Sequence, residues 1–157
     1  MIRILYVIEN EFFGGGENAF SQIINGINKD RYEIYSAFIP HGLYFQKIKN
    51  SSCVLQWKIR NRFDFIKIGE LARMIKNNKI DIVHSQGARV DFYARMAVKL
   101  TKVLSVSTIA MPPEGFDVNV FRKAAYILFD RLSEKYADSF IVVSEALKKR
   151  LMLCLSF

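Results

Sequence analysis

Three consecutive glycines, Gly14, Gly15 and Gly16, followed by Glu17, stand between a short apolar run and a helical pattern. Glycines in that place let the backbone approach a ligand. The free N–H groups and dipole of a helix start then favour an anion such as phosphate. The same glycines also suit a plain tight turn, and on sequence alone the two readings stand side by side. A second group gathers at His84, Ser85, Gln86 and Arg89. A histidine there can accept a proton or hydrogen-bond a hydroxyl near neutral pH; it can equally cap the following helix as a half-buried ring. His41, Glu114, Ser144 and Glu145 follow other apolar runs. Glu17, Glu114 and Glu145 each fall near an expected helix start, where the dipole favours a carboxylate whatever the function. No Ser/His/Asp or Cys/His arrangement points to nucleophilic catalysis, and no cluster has metal-ligand spacing.

The elements that must position these residues alternate along the chain. Ile4 to Ile8 is β-branched, aromatic and nearly uninterrupted, the pattern of a buried strand. Ala19, Phe20, Ile23, Ile24 and Ile27 repeat at spacings of three and four, which predicts a helix. Tyr32 to Ile39 is a second strand, closed by Pro40-His41-Gly42, and Leu43 to Asn50 is a short helix or loop. A third strand is expected around Cys53 to Ile59, then an amphipathic helix from Phe65 to Asn78 with Phe65, Ile68, Leu71, Ala72 and Ile75 on one face. Ile80 to Val83 is a short strand running into His84-Ser85-Gln86-Gly87, and about Arg89 to Lys102 is a helix. Leu104 to Ala110 is a strand closed by Pro112-Pro113-Glu-Gly115. Phe121 to Ala137 is the longest helix, with Phe121, Ala124, Ala125, Leu128, Leu132 and Tyr136 as its apolar stripe. Ser139 to Val143 is the last strand, and Ser144-Glu145 opens a final helix. Strand and helix alternating throughout predicts an α/β fold, a Rossmann-like parallel sheet with helices on both faces. Ligands of such sheets collect at the carboxyl ends of the strands, near the topological switch point. Every loop named above lies at such an end.

Composition bounds the rest. The 157 residues suit one domain with a sizeable core, spanning 1–157. With 51% hydrophobic and 24% charged residues the chain is globular rather than disordered. No apolar run approaches the roughly 18 residues that cross a bilayer, and the first strand lacks the features of a secretory leader. A cytoplasmic protein with reduced Cys53 and Cys154 is the expectation. The net charge of +8 is uneven: residues 51–100 carry ten Lys/Arg against four Asp/Glu, while residues 1–50 balance at five against five. The excess around Lys58, Arg60, Arg62 and Lys67 suits a phosphorylated substrate or an anionic lipid surface, or is ordinary solvated surface. No zinc-finger, recognition-helix or RNA-binding signature accompanies it, so nucleic acid is not an expected partner.

A dinucleotide fingerprint is formally present as Gly14-x-Gly16-x-x-Ala19. It needs its first glycine at the very end of the strand, whereas Glu9 to Phe13 intervene here. The acidic residue that follows, Glu33, stands at the start of the second strand rather than near its end. Taken in order, the landmarks instead resemble the N-terminal domain of a family 4 (GT-B) glycosyltransferase. Gly14-Gly-Gly-Glu17 is similar to that family's G-G-x-E loop, and Asp81-Ile-Val-His-Ser-Gln-Gly87 to its D-x-V-H-x-H-G strand end. Ser107-Thr108 and Ile141-Val-Val-Ser-Glu145 fit its later landmarks. The resemblance covers essentially the whole chain. Two positions depart from it: Gln86 stands where the second histidine is usual, and Ala110 where another often follows. Neither substitute shuttles a proton.

The resemblance implies an acceptor-side domain, with the glycine loop approaching the donor phosphates and a separate C-terminal domain holding most of a nucleotide-sugar. It implies sugar transfer to a polysaccharide or glycolipid acceptor, with retention of configuration, no obligatory metal and no cofactor beyond the donor substrate. By this reading Gly14, Gly15, Gly16 and Glu17 serve the donor phosphates, and His84 is the candidate catalytic residue. His41, Ser85, Gln86, Arg89, Glu114, Ser144 and Glu145 line acceptor-side loops. The donor-binding domain lies outside these residues, so the chain is expected to be inactive alone. Two alternatives remain: an acceptor-binding subunit whose partner chain carries the donor site, and a dinucleotide-binding oxidoreductase domain. The apolar ending Leu151-Met-Leu-Cys-Leu-Ser-Phe157 suits a truncated gene, a helix docked on a partner or a peripheral membrane contact.

Overall fold

The computed structural model describes residues 1–9, 13–61, 63–111 and 119–154. Six strands form one sheet: β1 (Ile2–Ile8), β2 (Tyr32–Phe38), β3 (Cys53–Gln56), β4 (Ile82–Gln86), β5 (Leu104–Ile109) and β6 (Ser139–Val142). Their order is β3-β2-β1-β4-β5-β6, and every pairing is parallel. The connecting helices are α1 (Gly15–Gly26), α2 (Gly42–Ile48), α3 (Ile66–Asn77), α4 (Ala88–Thr101) and α5 (Val120–Ser133). A single 3-10 turn follows at Glu134–Tyr136, and α6 (Glu145–Cys154) comes last. The strand order reverses direction between β1 and β4, so the switch point lies between the glycine loop and the end of β4.

Two apolar clusters hold the sheet, one on each face. Ile4, Tyr6 and Ile8 pack with Phe20 and Ile24 of α1 and with Tyr44 and Ile48 of α2. Leu5 and Val7 point the other way, onto Leu71 and Ile75 of α3 and Val90, Tyr93 and Ala97 of α4. Burial on both faces is why the first strand reads as a continuous apolar run instead of an alternating one.

Several boundaries differ from the sequence expectation, each for a physical reason. β4 runs through His84 and Ser85 to Gln86, because His84 pairs in register with Tyr6 and Val106, and Gln86 with Ile8 and Thr108. The group expected in a loop therefore stands inside the sheet. β3 ends at Gln56 after four ladder pairs with β2; Trp57 and Ile59 are still buried, but as irregular chain. In α1, Ala19 and Ile23 are exposed and only Phe20, Ser21 and Ile24 are buried. The expected stripe of α5 also faces outward: Phe121 is 87% exposed, Leu128 55% and Leu132 54%. α5 instead meets the rest of the fold through Phe129, whose ring lies 4.8 Å from that of Phe92.

Candidate functional site

The glycine segment opens α1, with Gly14 as its N-cap and Gly15 and Gly16 in its first turn. Glu17 is occupied by the helix itself: its Oε2 accepts the Gly14 backbone N–H at 2.9 Å. The first amides of a helix have no intrahelical acceptor and point outward along its dipole. Gly15 has open space where a side chain would be, whereas a Cβ on Gly16 would lie 2.7 Å from Nε2 and 3.1 Å from Cδ of Gln86. The glycine turn and the end of β4 are thus in direct contact.

Gln86 also lines a cavity of about 210 Å³ at the ends of β4 and β5, together with Gly87, Asp91, Thr108, Ala110 and Asp130. Gly87 turns the chain from β4 into α4 at φ 109°, a conformation that side chains avoid. Gln86 Oε1 is buried and has no hydrogen-bond partner among the described residues.

His84 faces α1. Its ring lies 4.8 Å from that of Phe20 and 5.2 Å from that of Tyr6, and it is only 6% exposed. Nε2 of His84 and Oγ1 of Thr108 share a hydrogen bond of 2.7 Å. Burial pushes the imidazole pKa down to about 4, so the ring is neutral at pH 7 and holds Thr108 at the cavity wall.

Ser85 points to the opposite face, where its hydroxyl donates to Asp91 Oδ1 at 2.5 Å. Beside it the fully buried Arg95 donates from Nε to Ser107 Oγ at 3.0 Å and from Nη1 to Asp130 Oδ1 at 2.6 Å. Burial raises Asp91 to about 6, against the opposing pull of Arg95. Asp91, Arg95 and Asp130 were not singled out from the sequence, and Thr108 was named there only within the Ser107-Thr108 landmark. The one signal for Asp91 and Arg95 is a pair of opposite charges four apart in the helical pattern.

Arg89 forms a two-pronged ion pair with Glu9, donating from Nε at 2.9 Å and also from Nη2. It ties the start of α4 to the end of β1. The remaining candidates are more dispersed. His41 is the exposed N-cap of α2 beyond β2, on the other side of β1 from the cavity strands. Ser144 caps α6, accepting the Leu147 N–H at 3.2 Å, and the exposed Glu145 lies 3.7 Å from Lys148. Both follow β6, at the edge of the sheet. Glu114 lies outside the described residues. No group of three or more His, Cys, Asp or Glu able to hold a metal occurs among the described residues. The arrangement offers backbone donors to an anion at α1 and, next to them, side-chain acceptors to hydroxyl groups.

The family described as Glycosyltransferase Family 4 matches residues 13–155. No curated protein matches the chain. Among solved structures, the chain is similar to the lipopolysaccharide outer core galactosyltransferase WaaB (18% identity, TM-score 0.69), covering 98% of this chain and 42% of that one. It is also similar to S. aureus MnaA, solved with UDP (13% identity, TM-score 0.73), covering 100% and 42%. A putative UDP-N-acetylglucosamine 2-epimerase from Listeria monocytogenes is similar as well (13%, TM-score 0.70), covering 98% and 42%. The chain thus spans 42% of the length of each of these proteins. A fold shared by a galactosyltransferase and a putative epimerase does not choose the reaction.

Proposed function

The chain belongs to glycosyltransferase family 4, and from that premise we propose that it is the acceptor-side half of a retaining glycosyltransferase. The donor is a nucleotide-sugar, and the acceptor a growing polysaccharide or a glycolipid. One observation carries this reading: the glycine start of α1 touches Gln86, and Gln86 lines the cavity at the β4 and β5 ends. Departure of a nucleoside diphosphate calls for preorganised donors at the developing charge, a role that suits the amides of Gly15 and Gly16. The acceptor hydroxyl has to stand alongside, which is where the cavity opens. His84 enters this scheme through Thr108, as a neutral positioning residue. The donor-holding half is supplied by polypeptide beyond these residues or by a second chain. The reading includes work on the cytoplasmic side of a membrane, with peripheral contact through the basic and aromatic segment 58–67.

UDP is the direct probe. In an NMR titration of the 157-residue chain, UDP is expected to shift the amides of Gly15, Gly16 and Glu17, and to bind weakly. Shifts confined to other parts of the chain, or none, would overturn the donor-side assignment. The chain alone is expected to transfer no sugar from UDP-glucose or UDP-galactose, and measurable transfer would overturn its role as one half of a catalyst.

A further inference from the structure

Between the sheet and the helices α4 and α5, one guanidinium serves two carboxylates. Arg95 is fully buried. It donates from Nε to Ser107 Oγ at 3.0 Å, and from Nη1 to Asp130 Oδ1 at 2.6 Å and Ser133 Oγ at 3.4 Å. Its Nη2 is buried with no partner among the described residues. Asp91, one helical turn earlier on α4, is 4% exposed and accepts the hydroxyl of Ser85. Asp130 belongs to α5. With both acids ionised the cluster carries an excess negative charge, and an uncompensated interior charge is so unfavourable that the group takes a proton instead. Asp130 has the guanidinium in direct contact and Asp91 does not, so the proton falls to Asp91. Burial raises the Asp91 carboxyl to about 6, while Arg95 and Ser85 pull it down and Asp130 pushes it up. Among the described residues, the groups facing Asp91 are Arg95 on its own helix, Asp130 on α5, and the hydroxyls of Ser85 on β4 and Ser107 on β5.

We infer that this cluster is a proton-controlled latch on α5: the helix is seated while Asp91 is protonated, and loss of that proton sets two carboxylates against each other across the α4–α5 contact and loosens it. α5 is suited to such control. Its outer stripe of Phe121, Leu128 and Leu132 is exposed, and its ionic anchor, Asp130, stands next to its aromatic one, Phe129. Outward movement of α5 takes Asp130 away from Asp91 and lets water reach both. The unpartnered Nη2 of Arg95 is then available to the ionised Asp91 on the same helix. A carboxyl that holds its proton more tightly in the seated state makes the seat firm at low pH and weaker as pH rises towards 6. Both carboxylates line the cavity at the ends of β4 and β5, so the latch alters that wall. It rests on the packing of α4 and α5 and not on which group the chain transfers.

The test is hydrogen exchange of the 157-residue chain at pH 4.5 and pH 7, corrected for the intrinsic rate. Protection of α5 is expressed relative to that of α1, which packs on the opposite face of the sheet. In wild type it is expected to fall about tenfold from pH 4.5 to pH 7, the linkage of about one unit between the Asp91 pKa values of the seated and released states. Asp91→Asn cannot ionise and keeps an acceptor for Ser85; it is expected to hold α5 at pH 7 as firmly as wild type does at pH 4.5. Asp130→Asn removes the ionic anchor and is expected to loosen α5 already at pH 4.5. No pH dependence in wild type, or the same dependence in Asp91→Asn, would overturn the latch. Failure of Asp91→Asn to fold would overturn it too, by showing that the fold requires an ionised Asp91. Full protection of α5 in Asp130→Asn at pH 4.5 would do the same, by showing that the ion pair does not hold the helix.

Discussion

His84 is a catalytic candidate by its sequence position, and the fold buries its ring and bonds it to Thr108. Its pKa is depressed from 6.5 to about 4, so this residue takes up its proton at a higher pH in the unfolded chain than in the folded one. The stability it contributes is whole above pH 6.5 and is lost as pH falls towards 4. Asp91 has the opposite sign: raised from 3.8 to about 6, it contributes stability below 3.8 that is lost as pH rises through 6. The two oppose each other in the window between, so wild type alone hides the effect. Chemical denaturation of wild type and His84→Gln at pH 7 and pH 5 separates them. The stability of wild type relative to the variant should fall by about 2 kcal/mol between those pH values. An unchanged difference would mean that the ring takes up its proton at the same pH in the folded and the unfolded chain. Gly16 and Gln86 are both candidates from type and order. Their contact was not legible, because spacing along the chain carries no information on which strand end a helix start abuts.

At the scale of elements, the alternation of apolar runs and helical patterns was enough to give six strands of a Rossmann-like parallel sheet, whose order only the structure gives. The apolar stripe of α5 was misleading. Period alone identifies an apolar face and says nothing of what lies against it; here Phe121, Leu128 and Leu132 face outward, while Phe129 meets Phe63, Phe65 and Phe92. Substitutions should follow the contacts and not the periodicity. Phe129→Ala is expected to cost about 3 kcal/mol, the lower part of the range for losing an aromatic from a packed site. Phe121→Ser should stay within about 0.5 kcal/mol of wild type, as for an exposed position. Urea denaturation midpoints decide it, and equal losses at the two positions would mean that the outer stripe is packed in solution. The end of β4 was misjudged for a related reason. His84, Ser85 and Gln86 look like loop residues, yet they stay in the ladder because β1 and β5 flank them, and that flanking is a long-range property.

For the whole molecule, the uneven charge seen in the sequence acquires a place. Segment 58–67 follows β3 and leads into α3, and it presents Lys58 and Arg60 to solvent beside Phe63, 62% exposed, and Ile66, 76% exposed. The aromatics are not loose: Phe63 and Phe65 stack edge-on at 6.2 Å, and both contact Phe129. Exposed aromatic residues in one segment with cations suit the boundary between headgroups and acyl chains, where a ring inserts and a cation meets anionic lipid. No helix among the described residues is long and apolar enough to cross a membrane. The chain should therefore sediment with phosphatidylserine-containing vesicles at low salt and be released as the ionic strength rises. Each surface cation contributes about 1 kcal/mol to such binding. Neutralising two of them, with Lys58→Gln and Arg60→Gln together, should weaken it roughly thirtyfold. Phe63→Ser should weaken binding while leaving its salt dependence unchanged, since the ring contributes through burial and not through charge. Binding that ignores both substitutions, or that is as strong to neutral phosphatidylcholine vesicles, would remove the segment as a membrane contact, and the excess of positive charge in the middle third would then be solvated surface.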